Sequence, residues 1–217
     1  MTNVFFDSVD DYNDLEIHDS WRKYVVESQR VSPEDMLRYI SASGRDNART
    51  PMQWDASDNA GFTTGTPWLK VNPRYTDINA AEELANDDSI FYHYSDLIHL
   101  RKEHPIVLTG EYRVLNPEDE QVYAYLRVNS AEDAAASGER ALLVVANFTQ
   151  ETLSLPYADG QLASLALKNP GVLKIEELAA MGEAPELISS NYRNEHGEFT
   201  DEGTTLRPYE AKVYLYR

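Results

Sequence analysis

Cysteine is absent from the 217-residue sequence, and long apolar runs are missing as well. The lack of cysteine excludes disulfides, thiolate zinc sites and cysteine nucleophiles, and it favours a cytoplasmic protein. No apolar stretch approaches the ~20 residues that a membrane-spanning helix needs. The first residues also lack the basic and apolar regions of a secretory signal peptide. We therefore expect a globular protein of the cytoplasm.

Basic residues are scarce. The sequence has 19 Lys and Arg against 37 Asp and Glu, which gives a formal net charge of −18. The few cations are scattered among acids, whereas a nucleic-acid interface needs clustered Lys and Arg, and an anionic membrane would repel the chain. We therefore expect neither nucleic acid nor a membrane as a partner.

Metal-ligand and cofactor motifs are also lacking. There is no phosphate-binding loop, no dinucleotide fingerprint and no G-x-S-x-G sequence. No spacing typical of a metal site relates the five histidines, which are His18, His93, His99, His104 and His196. The sequence therefore predicts no metal site and no cofactor.

The chain changes character near Pro105. Before it, the periodicity is mostly helical: Ser32 followed by a proline and two acids is typical of a helix start, and Gly44 is expected to end that helix. Residues 45–78 show little periodicity and predict a long ordered loop, which suggests function. A second helix is expected to be capped by Asp88 and stopped by Pro105.

From Ile106 onward, strand patterns dominate. Apolar residues alternate along residues 122–128, and the nearly continuous apolar run at 141–148 is typical of a central strand. Further strands are predicted at 152–155, 162–167 and 211–216. Asn129 to Glu139 is expected to be a mobile hairpin loop. Short strands at this spacing favour an antiparallel β-sandwich of roughly 110 residues.

The strongest chemical signal is the stretch GRDNARTPMQWD at residues 44–55. Arg45 and Arg49 suit a polar loop, because guanidinium groups hold sugar hydroxyls or fix a neighbouring carboxylate. Trp54 offers a flat face to a sugar ring or packs in the loop, and the residues alone leave both interpretations open. The adjacent pair His18 and Asp19 has the residue types of a catalytic dyad, but a surface helix pair is the commoner arrangement.

This stretch, followed by NAGFTTG at 59–65 and Pro67-Trp68, resembles the bacterial oligo-1,6-glucosidases. These are α-glucosidases of the α-amylase superfamily, with dextran glucosidase and trehalose-6-phosphate hydrolase as close relatives. The similarity continues through DSIFY at 88–92 and LRPYEA at 206–211, so that it covers essentially the whole chain.

The resemblance implies a retaining glycosidase built as a (β/α)8 barrel with a C-terminal β-sandwich. The three catalytic carboxylates of such enzymes lie on earlier barrel strands, so we expect no catalytic residue in this chain. The implied fold class is α+β: residues 1–104 as an incomplete C-terminal remnant of the barrel, and residues 105–217 as an antiparallel Greek-key β-sandwich. His18 and Asp19 do not match the family's Asn-His-Asp motif.

The resemblance also implies two substrate-binding residues. Arg49 matches an arginine that hydrogen-bonds the terminal glucose, and Arg45 matches a nearby arginine lining the same subsite. The expected partners are glucose or an α-gluco-oligosaccharide, bound weakly, and the upstream portion of the barrel. Because residues 1–104 should expose apolar surface that the barrel covers, self-association is also expected.

Three hypotheses remain open from the sequence. The first is an inactive C-terminal part of a glucosidase that hydrolyses terminal α-1,6 bonds of isomalto-oligosaccharides. The second is a stand-alone carbohydrate-binding β-sandwich, and the third is a structural or interaction remnant. A binding module should expose a row of aromatic side chains. Tyr123 and Tyr125 are the evident candidates, and we interpret them as cross-strand packing.

Overall fold

The computed structural model describes residues 2–115, 117–158, 161–162, 185–192 and 203–217. The chain divides into two compact units, Met1–Tyr92 and His93–Arg217. Helices dominate the first unit and antiparallel sheets the second, which agrees with the α+β class. None of the helices in these described ranges has the length and apolar character that crossing a bilayer would require. The predicted division after residue 104 stays a prediction.

Short helices build the first unit. They are α1 (Leu15–Trp21), which continues into a π-helical turn (Arg22–Glu27), α2 (Pro33–Ser43) and α3 (Ala80–Ala85). Four 3-10 helices accompany them, at Val9–Asp11, Arg45–Ala48, Asp58–Gly61 and Pro73–Thr76. The last three lie in residues 45–78, where a long ordered loop was predicted.

Helix α2 begins and ends where local chemistry predicts. The Ser32 hydroxyl accepts the backbone N–H of Asp35 at 3.1 Å, and Pro33 occupies the first helical turn. At the other end, a Cβ on Gly44 would lie 2.7 Å from the carbonyl oxygen of Ile40. The predicted cap and stop are therefore both confirmed.

The core of the first unit collects side chains from the N-terminal segment, α1 and α2. Its buried members are Val4, Phe6, Tyr12, Ile17, Met36 and Ile40. The N-terminal segment is held by polar contacts as well, since the backbone N–H of Val4 donates to Asn47 Oδ1 at 2.9 Å. This bond ties the start of the chain to the loop that follows α2.

Helix α4 (Ile90–Glu103) starts in the first unit and ends in the second. Asp88 was predicted as its cap, and this is wrong: the Ser89 hydroxyl accepts the N–H of Tyr92 at 3.4 Å, while the N–H of Asp88 donates to an asparagine. A short helix, α5 (Ile106–Thr109), follows where strand was expected. Its Ile106 side chain is fully buried, which accounts for the apolar pattern there.

The second unit contains eight described strands. β1 (Glu111–Val114), β2 (Val122–Val128), β3 (Ala141–Asn147), β6 (Glu186–Ser190) and β8 (Ala211–Tyr216) form an antiparallel sheet in the order β1-β2-β3-β8-β6. β4 (Leu153–Ala158), β5 (Gln161–Leu162) and β7 (Gly203–Leu206) form a second sheet in the order β5-β4-β7. The predicted strands at 122–128, 141–148, 152–155 and 211–216 are found. Of the one predicted at 162–167, only its first residue lies within the described residues.

The five-stranded sheet is apolar on both faces at its centre. On one face, Leu126 of β2, Leu143 of β3 and Tyr214 of β8 form a buried cluster that Leu206 of the second sheet joins. On the opposite face, Leu142 and Leu215 pack against Ile106. Burial on both faces explains why β3 reads as a nearly continuous apolar run.

The expected mobile loop at residues 129–139 is instead a helix, α6 (Ala131–Ser137). Ser130 caps it by accepting the N–H of Asp133 at 3.1 Å, and Gly138 ends it in a left-handed conformation with φ 73°. Alanine has the highest helix propensity of all residues, so the segment carried its own helix signal.

Leu143→Ala is expected to destabilise the second unit by about 2–5 kcal/mol, because a cavity opens at the centre of its sheet. Leu108→Ala is the matched control: that side chain is 55% exposed, so a change within about 0.5 kcal/mol is expected. Since all three tryptophans lie before residue 93, urea unfolding of this unit should be followed by far-ultraviolet circular dichroism. Equal midpoints for both variants would contradict the buried position of β3.

Candidate functional site

A fully buried carboxylate organises the loop after α2. Asp46 has no exposed surface, and its Oδ2 accepts the backbone N–H groups of Asn13 at 2.7 Å and Asp14 at 3.1 Å. Its Oδ1 accepts a hydrogen bond from Arg49 Nη2. Asp46 thereby joins the segment before α1 to the motif at residues 44–55.

Arg45 is bound side-on by a second carboxylate. Its Nε and Nη2 donate to the two oxygens of Asp14 at 2.7 and 2.5 Å, and Glu16 lies 3.6 Å from Nη2. The hydrogen bond from Arg45 holds the pKa of Asp14 below its ordinary value, and it raises the pKa of Arg45. Two of the three guanidinium nitrogens of Arg45 are therefore already occupied.

Arg49 is held differently. Besides its bond to Asp46, Nη2 lies 3.8 Å from Asp14 Oδ2, and Cζ lies 5.8 Å from the ring centre of Trp68. Among the described residues, Nε and Nη1 have no hydrogen-bond partner, and the side chain is 41% exposed. Arg49 therefore keeps its Nε and Nη1 donors available for a ligand, whereas Arg45 uses its Nε and Nη2 donors to bind Asp14.

A cavity of about 210 Å³ lies between α1 and α2. Asp14, Glu16 and Arg45 line it, together with apolar side chains such as Ile17 and Met36. Arg49 does not line it. Of the two arginines, only Arg45 therefore adjoins this cavity.

For Trp54 the sequence left open a sugar-facing role and packing in the loop. Trp54 is 53% exposed and belongs to a turn in which its N–H donates to the carbonyl of Ala60 at 2.9 Å. Trp68 is equally exposed and contacts Arg49. The sequence pointed to Trp68 only as part of the family resemblance and predicted no contact between it and Arg49. The carbonyl oxygen of Trp68 also accepts Asn13 Nδ2 at 2.9 Å.

The turn that carries Trp54 is strained. Asn59, Ala60 and Gly61 have consecutive φ angles of 54°, 58° and 65°. A Cβ on Gly61 would lie 2.7 Å from the Asp55 carboxylate, which in turn accepts the Ser57 N–H at 2.8 Å. The close approach explains why glycine is required there.

His18 and Asp19 have different partners and do not form a dyad, as expected for a surface helix pair. His18 Nε2 lies 2.8 Å from the carbonyl oxygen of Tyr12, while Asp19 pairs with Arg22 at 2.9 Å in solvent. In the ranges that the structure describes, no three His, Asp or Glu side chains are placed to hold a metal ion.

The chain is similar in sequence to known glycoside hydrolases. Residues 5–110 match the family described as "Alpha amylase, catalytic domain". The chain is 41% identical over 216 residues to an oligo-1,6-glucosidase of Halalkalibacterium halodurans, covering 99% of this chain and 33% of that protein. It is 40% identical over 214 residues to the oligo-1,6-glucosidase of Bacillus cereus, with the same two coverages of 99% and 33%. The chain thus spans about a third of the length of these relatives.

Solved structures give the same picture. The trehalose-6-phosphate hydrolase of Bacillus licheniformis superposes with a TM-score of 0.79 at 34% identity, covering 100% of this chain and 34% of that one. A trehalulose synthase mutant in complex with glucose superposes with a TM-score of 0.76 at 35% identity, with coverages of 100% and 34%. The similarity to solved structures thus extends over the whole chain.

Asp14→Asn should lower the stability of the first unit at neutral pH. Arg45 lowers the pKa of Asp14 in the folded state. The ionised carboxylate therefore stabilises the fold at every pH above its ordinary pKa, which lies near 4. This stabilisation is lost as the pH falls through the lowered pKa of the folded state. The variant should therefore unfold at a lower temperature at pH 7 and show a flatter decline between pH 4 and pH 2. Tryptophan fluorescence measures both, since every tryptophan lies in this unit.

The matched control is Asp19→Asn, since Asp19 is 71% exposed and pairs only with exposed Arg22. It should leave the pH dependence unchanged. If Asp14→Asn kept the wild-type acid profile, the assigned role of the Asp14–Arg45 pair would be wrong.

Proposed function

Because the chain belongs to the α-amylase superfamily, with oligo-1,6-glucosidases among its relatives, we propose that it is part of a retaining α-glucosidase. The proposed reaction is hydrolysis of terminal α-1,6 bonds in isomalto-oligosaccharides. Within that enzyme, residues 1–104 form the last segment of the catalytic barrel, and residues 105–217 form an antiparallel Greek-key β-sandwich. The absence of cysteine supports a cytoplasmic location.

The free donors of Arg49 carry the proposal. A terminal glucose offers hydroxyl oxygens as acceptors, and the planar guanidinium presents Nε and Nη1 to them in a fixed geometry. Asp46 holds the opposite side of the group, so that little side-chain freedom is lost on binding. Arg49 is thus the main substrate-binding residue, and Arg45 contributes its remaining Nη1 and its charge.

The carboxylates beside the arginines do not supply the chemistry. A retaining glycosidase needs one carboxylate as nucleophile and a protonated carboxyl as acid, about 5–5.5 Å apart. Asp14 has a lowered pKa and binds Arg45 with both oxygens, so it is ionised at neutral pH. Asp46 is buried and already accepts three hydrogen bonds. In this proposal, the catalytic carboxylates come from a further barrel portion, and the chain by itself is inactive.

Two features support the proposed architecture. In the second unit, Leu153 and Leu206 of the smaller sheet pack against the core of the larger sheet, as in a sandwich. In the first unit, Phe5 and Leu15 are 73% and 79% exposed. The proposal assigns these two side chains to a surface that the rest of a barrel, or a second copy of the chain, covers.

A stand-alone carbohydrate-binding module is the alternative, and one cluster favours it. Tyr112 and Tyr123 are 44% and 45% exposed on neighbouring strands, and their hydroxyls lie 2.5 Å apart. Both rings contact Tyr125, with centroids at 5.2 and 5.7 Å. They therefore pack across the strands, as predicted for Tyr123 and Tyr125, while keeping an exposed edge.

Arg49→Ala is expected to abolish glucose binding by the chain, because it removes the donors that face the hydroxyls. Arg45→Ala should weaken binding less, since Asp14 occupies most of its donors. Arg38→Ala is the control: it is an exposed arginine on α2 that pairs with Asp35 at 3.0 Å. Isothermal titration calorimetry with glucose measures all three variants.

Isomaltose and an aryl α-glucoside should not be hydrolysed by the wild-type chain.

Two results would reject this assignment. Binding that survives in Arg49→Ala but disappears in Tyr112→Ala would favour the stand-alone module. Hydrolysis by the chain that a single carboxylate substitution within it eliminates would show that the chemistry does not need a further barrel portion.

A further inference from the structure

Trp54 and Trp68 are equally exposed, at 53% each, but their surroundings differ. The Trp68 ring lies under the Arg49 guanidinium, with 5.8 Å between Cζ and the ring centre. Trp54 has no cation over its ring among the residues that the structure describes. Of these two rings, only that of Trp68 has a cation with free donors over it in the part of the chain that the structure describes.

Four contacts among Asp46, Arg49, Asn13 and Trp68 hold the Trp68 ring beside the Arg49 guanidinium. Asp46 accepts hydrogen bonds from Arg49 and from the N–H of Asn13. Asn13 in turn donates its side-chain amide to the Trp68 carbonyl at 2.9 Å. The ring of Trp68 then returns to Arg49. A guanidinium held between a buried carboxylate and an aromatic ring has few alternative rotamers.

We propose that Trp68 is a second sugar-contacting residue of the Arg49 site, on which the apolar face of a pyranose stacks while Arg49 binds its hydroxyls. The inference rests on the proposed function and adds to it the residue that contacts the sugar's C–H groups. The Trp68 side chain is half exposed, and its ring lies beside a guanidinium that has two donors without a partner among the described residues, so a sugar at the exposed part of the ring can reach both groups. An apolar surface beside a few fixed polar donors is the usual composition of a small-molecule site.

Asp46 and Asn13 are positioning residues in this arrangement. Asp46 acts through Arg49, and Asn13 acts through the Trp68 carbonyl. Neither has to touch the sugar. Substitution of Asn13 by alanine removes the bond to Trp68 but keeps the backbone N–H that Asp46 accepts, so the fold should be retained.

Tryptophan fluorescence distinguishes the two exposed rings. Glucose should change the emission of the wild-type chain and of Trp54→Phe, whereas Trp68→Phe should give no change. Calorimetry should show about tenfold weaker glucose binding for Trp68→Phe and no loss for Trp54→Phe. Asn13→Ala should weaken binding by about threefold. Without sugar, Asp46→Asn should shift the emission of the Trp54→Phe chain, because it releases Arg49 from the Trp68 ring.

The outcomes separate this inference from the proposed function. A glucose response that persists in Trp68→Phe and vanishes in Trp54→Phe overturns the role of Trp68 and leaves that of Arg49 intact. Binding that is unchanged in Arg49→Ala but lost in Trp68→Phe supports Trp68 and removes Arg49 from the site. Absence of any glucose binding by the wild-type chain overturns both.

Discussion

Asp46 has no exposed surface, and a carboxylate in that position persists only when its charge is compensated. Two backbone N–H groups from the segment before α1 and one arginine from the loop after α2 supply the compensation. The segment before α1 is thereby held against the loop after α2. Removal of any one of these donors would leave part of a buried charge unpaired, which is costly. The geometry around Arg49 and Trp68 follows from this constraint.

Asp46 also sets the difference between the two arginines. By binding the N–H of Asp14, it places that carboxylate so that both of its oxygens meet Arg45. Arg45 therefore uses two of its three guanidinium nitrogens to bind Asp14. Arg49 uses one nitrogen to bind Asp46, and its other two have no partner among the described residues. A family resemblance assigns the two positions to the same subsite. Their hydrogen bonds show that they are not equivalent in what they can offer a sugar.

Local rules predicted the elements whose signals lie within a few residues. The cap at Ser32, the alternation along β2 and the apolar run of β3 are of this kind. Helix α6 also carried its signal, with Ser130 and Gly138 at its ends, but its alanine-rich composition was interpreted as flexibility. The placement of Trp68 beside Arg49 is different, because it involves a cation–ring contact and a bond from Asn13 to a residue 55 positions away. Asp46 likewise bonds residues 32 and 33 positions away, and no periodicity encodes such pairings.

Two of the segments that carry the family resemblance, residues 44–55 and 206–211, are ordered by a buried acid. In residues 206–211, Glu210 is almost fully buried, accepts the Arg207 N–H at 2.7 Å and pairs with the guanidinium of the same arginine. Burial lowers the pKa of neighbouring Lys212, which lies 3.7 Å from Glu210. Both motifs thus contain a buried acid that orders a loop through backbone N–H groups and an arginine. In both motifs the arginine also lies over an exposed aromatic ring, Trp68 for Arg49 and Tyr192, at 4.0 Å, for Arg207. A buried acid, an arginine and an aromatic ring therefore order a loop in each of the two units.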